Sequence, residues 1–160
     1  MGAVSPAGPD SKAHLAGLMA GRSLARRLTE PWFAPFESAV GVPVTCIPGQ
    51  AEPARHVAFA DPAIAEALAE AGLDRPARAG TDLVTSTAIA ASIELEKAFR
   101  DGRILPPGSF GFDLITNWAR TRYGVATAGR SLTISTGCTA GLDAAQSVVG
   151  SGCRNKELLP

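Results

Sequence analysis

The stretch SLTISTGCTAGLDAA, residues 131–145, decides how this sequence reads. Leu132 and Ile134 alternate with Thr133 and Ser135, the period of a strand with one apolar side, so a strand is expected over 131–136. Gly137 follows, and glycine lets the backbone turn sharply without a Cβ clash. A helix is expected from about 139 to 149. Strand, tight turn and helix form the geometry of a nucleophile elbow, with Cys138 at the corner. A cysteine in the first turn of a helix meets partial positive charge and backbone N–H groups without intrahelical partners. Both favour the thiolate, which is the nucleophilic form. The same N–H groups suit an oxyanion formed during acyl transfer. Thr136, Gly137, Thr139, Ala140 and Gly141 are small and leave room for a substrate. A second reading fits the residue types equally well: free cysteines are among the most buried residues, and Cys138 can be a structural core side chain.

The rest of the composition narrows the function classes. With 160 residues the chain is long enough for one domain with a real core. Its 46% hydrophobic and 19% charged content reads as globular rather than disordered. Lys and Arg total 15, as do Asp and Glu, so nothing points to a nucleic acid or an anionic membrane as partner. No apolar run approaches the length of a membrane span. No charged segment followed by an apolar block opens the chain, so no secretion signal is expected. The cysteines are Cys46, Cys138 and Cys153. They form no CxxC or Cys/His spacing that suggests zinc, and the thiols read as free in a cytoplasmic protein; no cofactor is expected. The only histidines are His14 and His56, both far upstream of Cys138.

Read along the chain, a Gly/Pro-rich opening leads into a helix capped by Asp10 or Ser11, with Leu15, Leu18 and Met19 as its apolar face and Gly21 as its stop. Residues 29–56 carry Pro31, Pro35, Pro43, Pro48 and Pro53 and read as an irregular segment pinned by Trp32, Phe33 and Phe36. DPAIAEALAEAGLD, 61–74, reads as a helix capped by Asp61, with Pro62 in its first turn. Ile64, Leu68 and Leu73 mark its buried side, and Gly72 ends it. GTDLVTSTAIA, 80–90, contains a strand. Residues 91–100 and 109–122 are expected helices, the latter with Phe112, Ile115 and Ala119 on one side. Between the last of these and the strand at 131, GVATAGR is a glycine-bearing turn. Helices alternating with strands of buried type define an α/β layered fold.

STGCTAGLDA resembles the active-site segment of the β-ketoacyl synthases of the thiolase superfamily. Its Thr-Gly-Cys-Thr form with Gly-Leu-Asp behind it is most like the ketosynthase subunits of bacterial type II aromatic polyketide synthases. Other segments match in order. GAVSPAGPDSKAHLAGLMAGRS is similar to the family's opening turn and first helix. AIAEALAEAGL and TDLVTSTAIAAS are similar to a helix and a small-residue strand end in the first half of the domain. LEKAF, LPPGSF and ATAGRSLTISTGC resemble segments leading to the nucleophile. The match thus runs over residues 2 to about 149. It implies a thiolase-like layered sandwich, of which this chain holds the N-terminal half only. It further implies that Cys138 attacks an acyl thioester delivered by acyl carrier protein and becomes acylated, with its own N–H in the oxyanion hole. Decarboxylative condensation with a malonyl unit follows, in polyketide or fatty-acid biosynthesis. In the family, histidines from the second half of the domain assist that step. A homodimer, or a heterodimer with a ketosynthase-like subunit, is the implied assembly, with the strand at 131–136 near the interface.

The departures from the family pattern matter as much. Neither His14 nor His56 matches a catalytic position, and both read as surface or core-edge residues. Without its acid–base partners a thiolate can still be acylated, but decarboxylation lacks its charge stabilisation, so the chain alone is expected to be inactive in condensation. The family has a strand before Gly2, and GSGCRNKELLP resembles nothing expected at the other end, as in a truncated or frame-shifted frame. Residues 1–149 are therefore read as an incomplete β-ketoacyl synthase N-terminal-like domain and 150–160 as a divergent tail. Cys153 in that tail reads as an incidental thiol and Cys46 as packing. Arg22, Arg26 and Arg27 cluster, which fits a local basic patch for an acidic carrier protein and a solvated helix end equally well. The alternative is a non-enzymatic remnant or interaction half that needs a separately encoded partner. A cysteine hydrolase would need His14 or His56 to reach Cys138, and a chain-length-factor-like subunit would normally lack the cysteine.

Overall fold

The computed structural model describes residues 1–47 and 55–156; the side chains of Trp32 and of residues 151–156 lie outside the description. The chain is mixed α/β and divides into two compact units, Met1–Gly72 and Leu73–Pro160.

In the first unit, Ser5 and Gly8 exchange two backbone hydrogen bonds of 3.0 Å and close the opening turn. Helix α1, Ser11–Met19, starts where the sequence places it: the Asp10 carboxylate accepts from the Ala13 N–H at 2.7 Å. Gly21, at φ +61°, follows its end. The expected apolar face is not buried, because Leu15, Leu18 and Met19 are all exposed. The side of α1 that packs is the small-residue side. Gly17 lies against Ala7, and Ala13 against Gly8, closely enough that a Cβ on either glycine would collide. Close backbone approach needs small side chains, and the large ones are left outside.

Two short strands, β1 (Arg26–Arg27) and β2 (Val40–Gly41), pair antiparallel. Arg26 and Arg27 are therefore ladder residues with exposed side chains rather than a helix end, since α1 stops at Met19. Between the strands Pro31–Phe33 form a 3-10 turn. Phe33 is half-buried, whereas Phe36, one of the expected pinning residues, is largely exposed. Pro48 and Pro53 lie outside the described residues.

Helix α2 covers Arg55–Ala71 and begins before Asp61, so Asp61 is no cap and Pro62 is interior. His56 accordingly sits on this helix rather than in an irregular segment. An interior proline forfeits one backbone hydrogen bond. The apolar spacing explains why the helix forms anyway: Val57, Ala60, Ile64 and Leu68 recur at i, i+3, i+7 and i+11. Val57, at 2% exposure, is the largest fully buried side chain among the described residues, while Ile64 and Leu68 are half-buried. Gly72, at φ +63°, ends the helix as expected. One side chain ties the opening segment to α2. Glu66 accepts from the Ser11 hydroxyl at 2.5 Å, from the Ser11 N–H at 3.0 and 3.1 Å, and from the Ala3 N–H at 3.0 Å. These bonds, the Ser11 hydroxyl first, hold its carboxyl below the usual carboxylate range.

The second unit opens with a helix the sequence reading missed, α3 (Arg75–Gly80), capped by Asp74, whose carboxylate accepts from the Ala77 N–H at 2.8 Å. Strands β3 (Leu83–Ser86) and β4 (Ser131–Ile134) pair in parallel, Leu83 opposite Ser131 through Ser86 opposite Ile134. Parallel strands need a long crossover, and here it carries α4 (Ser92–Arg100) and α5 (Leu114–Tyr123). The latter starts later than the expected 109, leaving Phe112 exposed in the turn before it. Helix α6 spans Ala140–Lys156 and so runs past residue 149. Gly150 and Gly152 lower helix propensity by only about 1 kcal/mol each, and no proline interrupts the segment.

Helices α5 and α6 both pack on the strand pair. Their contact points are small: Ala119 and Ala140 are buried, as are Ala91, Ala98 and Ala126. At the heart of the unit Thr116 of α5, 4% exposed, closes a triangle of hydroxyls with Thr85 and Thr133, which face each other across the sheet. The sides of the triangle are 2.5 Å (Thr85–Thr116), 2.6 Å (Thr116–Thr133) and 3.3 Å (Thr85–Thr133). Outside the strands' starting ends, Arg130 donates from Nε at 3.0 Å and Nη2 at 2.5 Å to one Asp82 oxygen, and from its N–H at 2.9 Å to the other. The guanidinium hydrogen bonds come first among the causes that hold the Asp82 carboxyl below its ordinary range. Among the described residues no helix is long and apolar enough to cross a membrane.

Candidate functional site

Both strands of the parallel pair end at the same side, and α/β folds place their ligand sites outside such carboxyl ends. Cys138 lies there. After β4 the chain enters a 3-10 turn, Gly137–Thr139, and then α6. Strand, turn and helix thus appear in the expected order, with the strand ending two residues early and a 3-10 turn inserted before the helix. Gly137 has φ +68°, a left-handed conformation that a side chain would strain. It is the one residue of this corner whose identity the backbone demands.

Cys138 is a free, exposed thiol, which removes the reading of it as a buried core residue. Ser135, Thr136, Gly137 and Thr139 are exposed as well, so the corner is open surface. Ala140, 3% exposed, anchors the start of α6 against the unit.

The Asp143 carboxylate, one turn into α6, is the feature of this corner that sequence reasoning overlooked. One of its oxygens accepts from the Thr136 hydroxyl and, at 3.1 Å, from the Thr139 hydroxyl. The Thr139 hydroxyl also lies 3.2 Å from both the carbonyl and the hydroxyl oxygen of Thr136. The residues on either side of Gly137 and Cys138 are therefore tied to a single carboxylate. The available signal was the spacing: Thr139 and Asp143 are four apart, which brings them together on a helix.

The other singled-out residues stand elsewhere. His14 and His56 belong to the first unit, on α1 and α2, and both are half-buried. The second unit contains no histidine. His14 lines a recess of about 200 Å³ with Ser5, Leu18 and Arg22. Cys46 is exposed, with its thiol donating to the Ser5 carbonyl at 3.5 Å, so its packing role is small. The Cys153 side chain lies outside the described residues. Among the described residues no cluster of three or more His, Cys, Asp or Glu could hold a metal ion.

Comparison with models of known protein families gives no match, and comparison with curated protein sequences gives none either.

Proposed function

We propose that this chain is the N-terminal part of a β-ketoacyl-[acyl carrier protein] synthase of thiolase-like fold, and that Cys138 accepts an acyl group from a carrier-protein thioester. The observation that supports this most is the exposed thiol on a left-handed glycine turn, between a parallel strand and a helix N-terminus. In the reaction, the Cys138 sulfur adds to the thioester carbonyl. The bond from that carbon to the pantetheine sulfur breaks, and the pantetheine thiolate leaves and takes up a proton. N–H groups of the first turn suit the oxyanion that forms between these steps. Condensation with a malonyl unit needs further acid–base groups, and the unit that carries Cys138 supplies no histidine. The chain alone is therefore acylated without condensing.

Acetyl-pantetheine thioester tests this directly. Intact mass should rise by one acetyl group, mapped by peptide analysis to Cys138. Cys138→Ala should abolish the gain and Cys46→Ala should retain it. Adding malonyl-pantetheine should yield no condensed product. A Cys138 that iodoacetamide alkylates but acetyl-pantetheine leaves untouched would falsify the reading.

A second reading, an interaction half completed by a separately encoded chain, is favoured by apolar exposure in the second unit. Phe99 of α4 is 88% exposed, Ile104 97% and Leu142 of α6 74%. A partner chain that covered these side chains would take their apolar area out of water. Co-expression with a chain bearing the missing histidine segments should give a stable complex; sedimentation of this chain as an unchanged monomer beside it would exclude that reading.

A further inference from the structure

We infer that Asp143 is a positioning residue for Cys138, holding the Gly137–Cys138 turn by accepting hydrogen bonds from the threonines on both sides of it. The inference rests on the acyl-transfer reading of Cys138, and it starts from what does not hold the turn. A Cβ built on Gly137 meets nothing within 4 Å, nor does one built on Gly141. Ser135, Thr136, Cys138 and Thr139 are all exposed. Side-chain burial therefore does little to hold this corner, and glycine at φ +68° has wide conformational latitude of its own.

What restrains the turn is polar. The Thr136 hydroxyl precedes Gly137 and the Thr139 hydroxyl follows Cys138, and both converge on the same Asp143 oxygen. Asp143 sits on α6, whose first residue, Ala140, is buried against the unit. Its backbone is fixed further by the Ser147 hydroxyl, which donates to the Asp143 carbonyl at 2.8 Å. The carboxylate thus transfers the rigidity of the packed helix to a turn whose own side chains are exposed. Hydrogen bonds to a charged acceptor are the stronger kind, and two of them flank the thiol. Nucleophilic addition needs the sulfur in a fixed relation to the N–H donors that receive the oxyanion, and small displacements slow such steps strongly. Alkylation by a small electrophile needs only an exposed thiolate. The two reactions therefore respond differently to loss of the clamp.

The test uses the full chain carrying Cys46→Ser and Cys153→Ser, so that Cys138 is the sole thiol. Asp143→Leu removes the acceptor, whereas Asp143→Asn keeps an acceptor oxygen and removes the charge. Acetylation by acetyl-pantetheine should fall about tenfold in the Leu variant and return to within about twofold of the parent in the Asn variant. Iodoacetamide alkylation should stay within about twofold in all three. Thr136→Val cuts the same clamp from its other side and should reproduce the Leu pattern even where the Leu variant folds poorly, as checked by circular dichroism. Acetylation at the parental rate in both Asp143→Leu and Thr136→Val overturns the proposal. So does a parallel fall of acetylation and alkylation that Asn does not restore.

If the parent is alkylated but takes no acetyl group, the acyl-transfer reading fails on its own, and amide hydrogen exchange still decides the clamp. Exchange at Ala140–Leu142 should be about tenfold faster in Asp143→Leu and near the parental rate in Asp143→Asn. Equal exchange in all three overturns the positioning role.

Discussion

Thr116→Val removes one hydroxyl from the triangle that joins α5 to both strands. The substitution breaks the 2.5 Å and 2.6 Å bonds and leaves Thr85 and Thr133 to pair with each other, at 3.3 Å in the native structure. Each lost bond contributes about 1 kcal/mol net, and the added buried methyl returns about 0.8 kcal/mol, so the unit should lose about 1.2 kcal/mol. Thr133→Val breaks two sides of the same triangle and should lose a similar amount. The double variant loses three bonds rather than four and buries two methyls, for a loss of about 1.4 kcal/mol. The coupling between the two sites is then about 1 kcal/mol. Trp118, two residues along α5 and edge-on to Tyr123 at 5.7 Å between ring centroids, reports on this packing. Urea unfolding followed by its fluorescence, with Trp32 replaced by Phe, gives all four corners of the cycle. Losses that add to within about 0.4 kcal/mol refute the triangle as a single hydrogen-bonded unit. A Thr116→Val protein as stable as the parent refutes its contribution altogether.

The remaining predictions concern acid, space and access. Glu66 titrates low because the Ser11 hydroxyl and then the Ser11 and Ala3 N–H groups donate to it. A carboxyl lowered on folding stabilises the native state above its unfolded-state pKa. That stabilisation is lost as pH falls through the folded-state value. Ser11→Ala should therefore raise the Glu66 midpoint, read by carboxyl carbon NMR, and shift the acid loss of the first unit to higher pH; an unmoved midpoint contradicts the assignment. Gly129→Ala places a Cβ onto the Thr81 carbonyl oxygen, where the Gly129 N–H already bonds the Ala79 carbonyl at 3.1 Å. A loss of about 1–3 kcal/mol is expected, measured by urea unfolding, and a neutral result contradicts the close approach. Native-state iodoacetamide should label both Cys46 and Cys138, since both are exposed; protection of either until urea is added contradicts its placement.

Several elements were legible because their signals are local. Asp10 caps α1 by bonding a backbone N–H three residues away, and Gly72 ends α2 with a left-handed residue. The β4–turn–α6 corner was legible for the same reason: alternation, a glycine and a helical run follow one another in sequence. Where the reading failed, a competing interaction outweighed the local signal. Pro62 reads as a helix start, yet Val57 extends the buried face upstream of it and the helix includes seven residues before the proline. Leu15, Leu18 and Met19 read as a core face, yet Gly17 and Ala13 are the residues that allow α1 to lie close to the opening turn. The 3-10 turn before α6 and the two-residue strands have too few residues to carry a period.

Residue types alone determined the alternation of helix and strand, the placement of a reactive residue type at the end of the last strand, and the separation of Cys138 from both histidines along the chain. Backbone hydrogen bonding and side-chain period act over a few residues, and a linear string records them. Whether Cys138 is buried or open, whether Asp143 reaches Thr136 as well as Thr139, and that Thr85, Thr116 and Thr133 meet were decided only in three dimensions. Exposure and hydrogen-bond partners depend on residues distant in sequence. For Thr85 and Thr133 those partners lie across a crossover of two helices, and no local pattern encodes such a pairing.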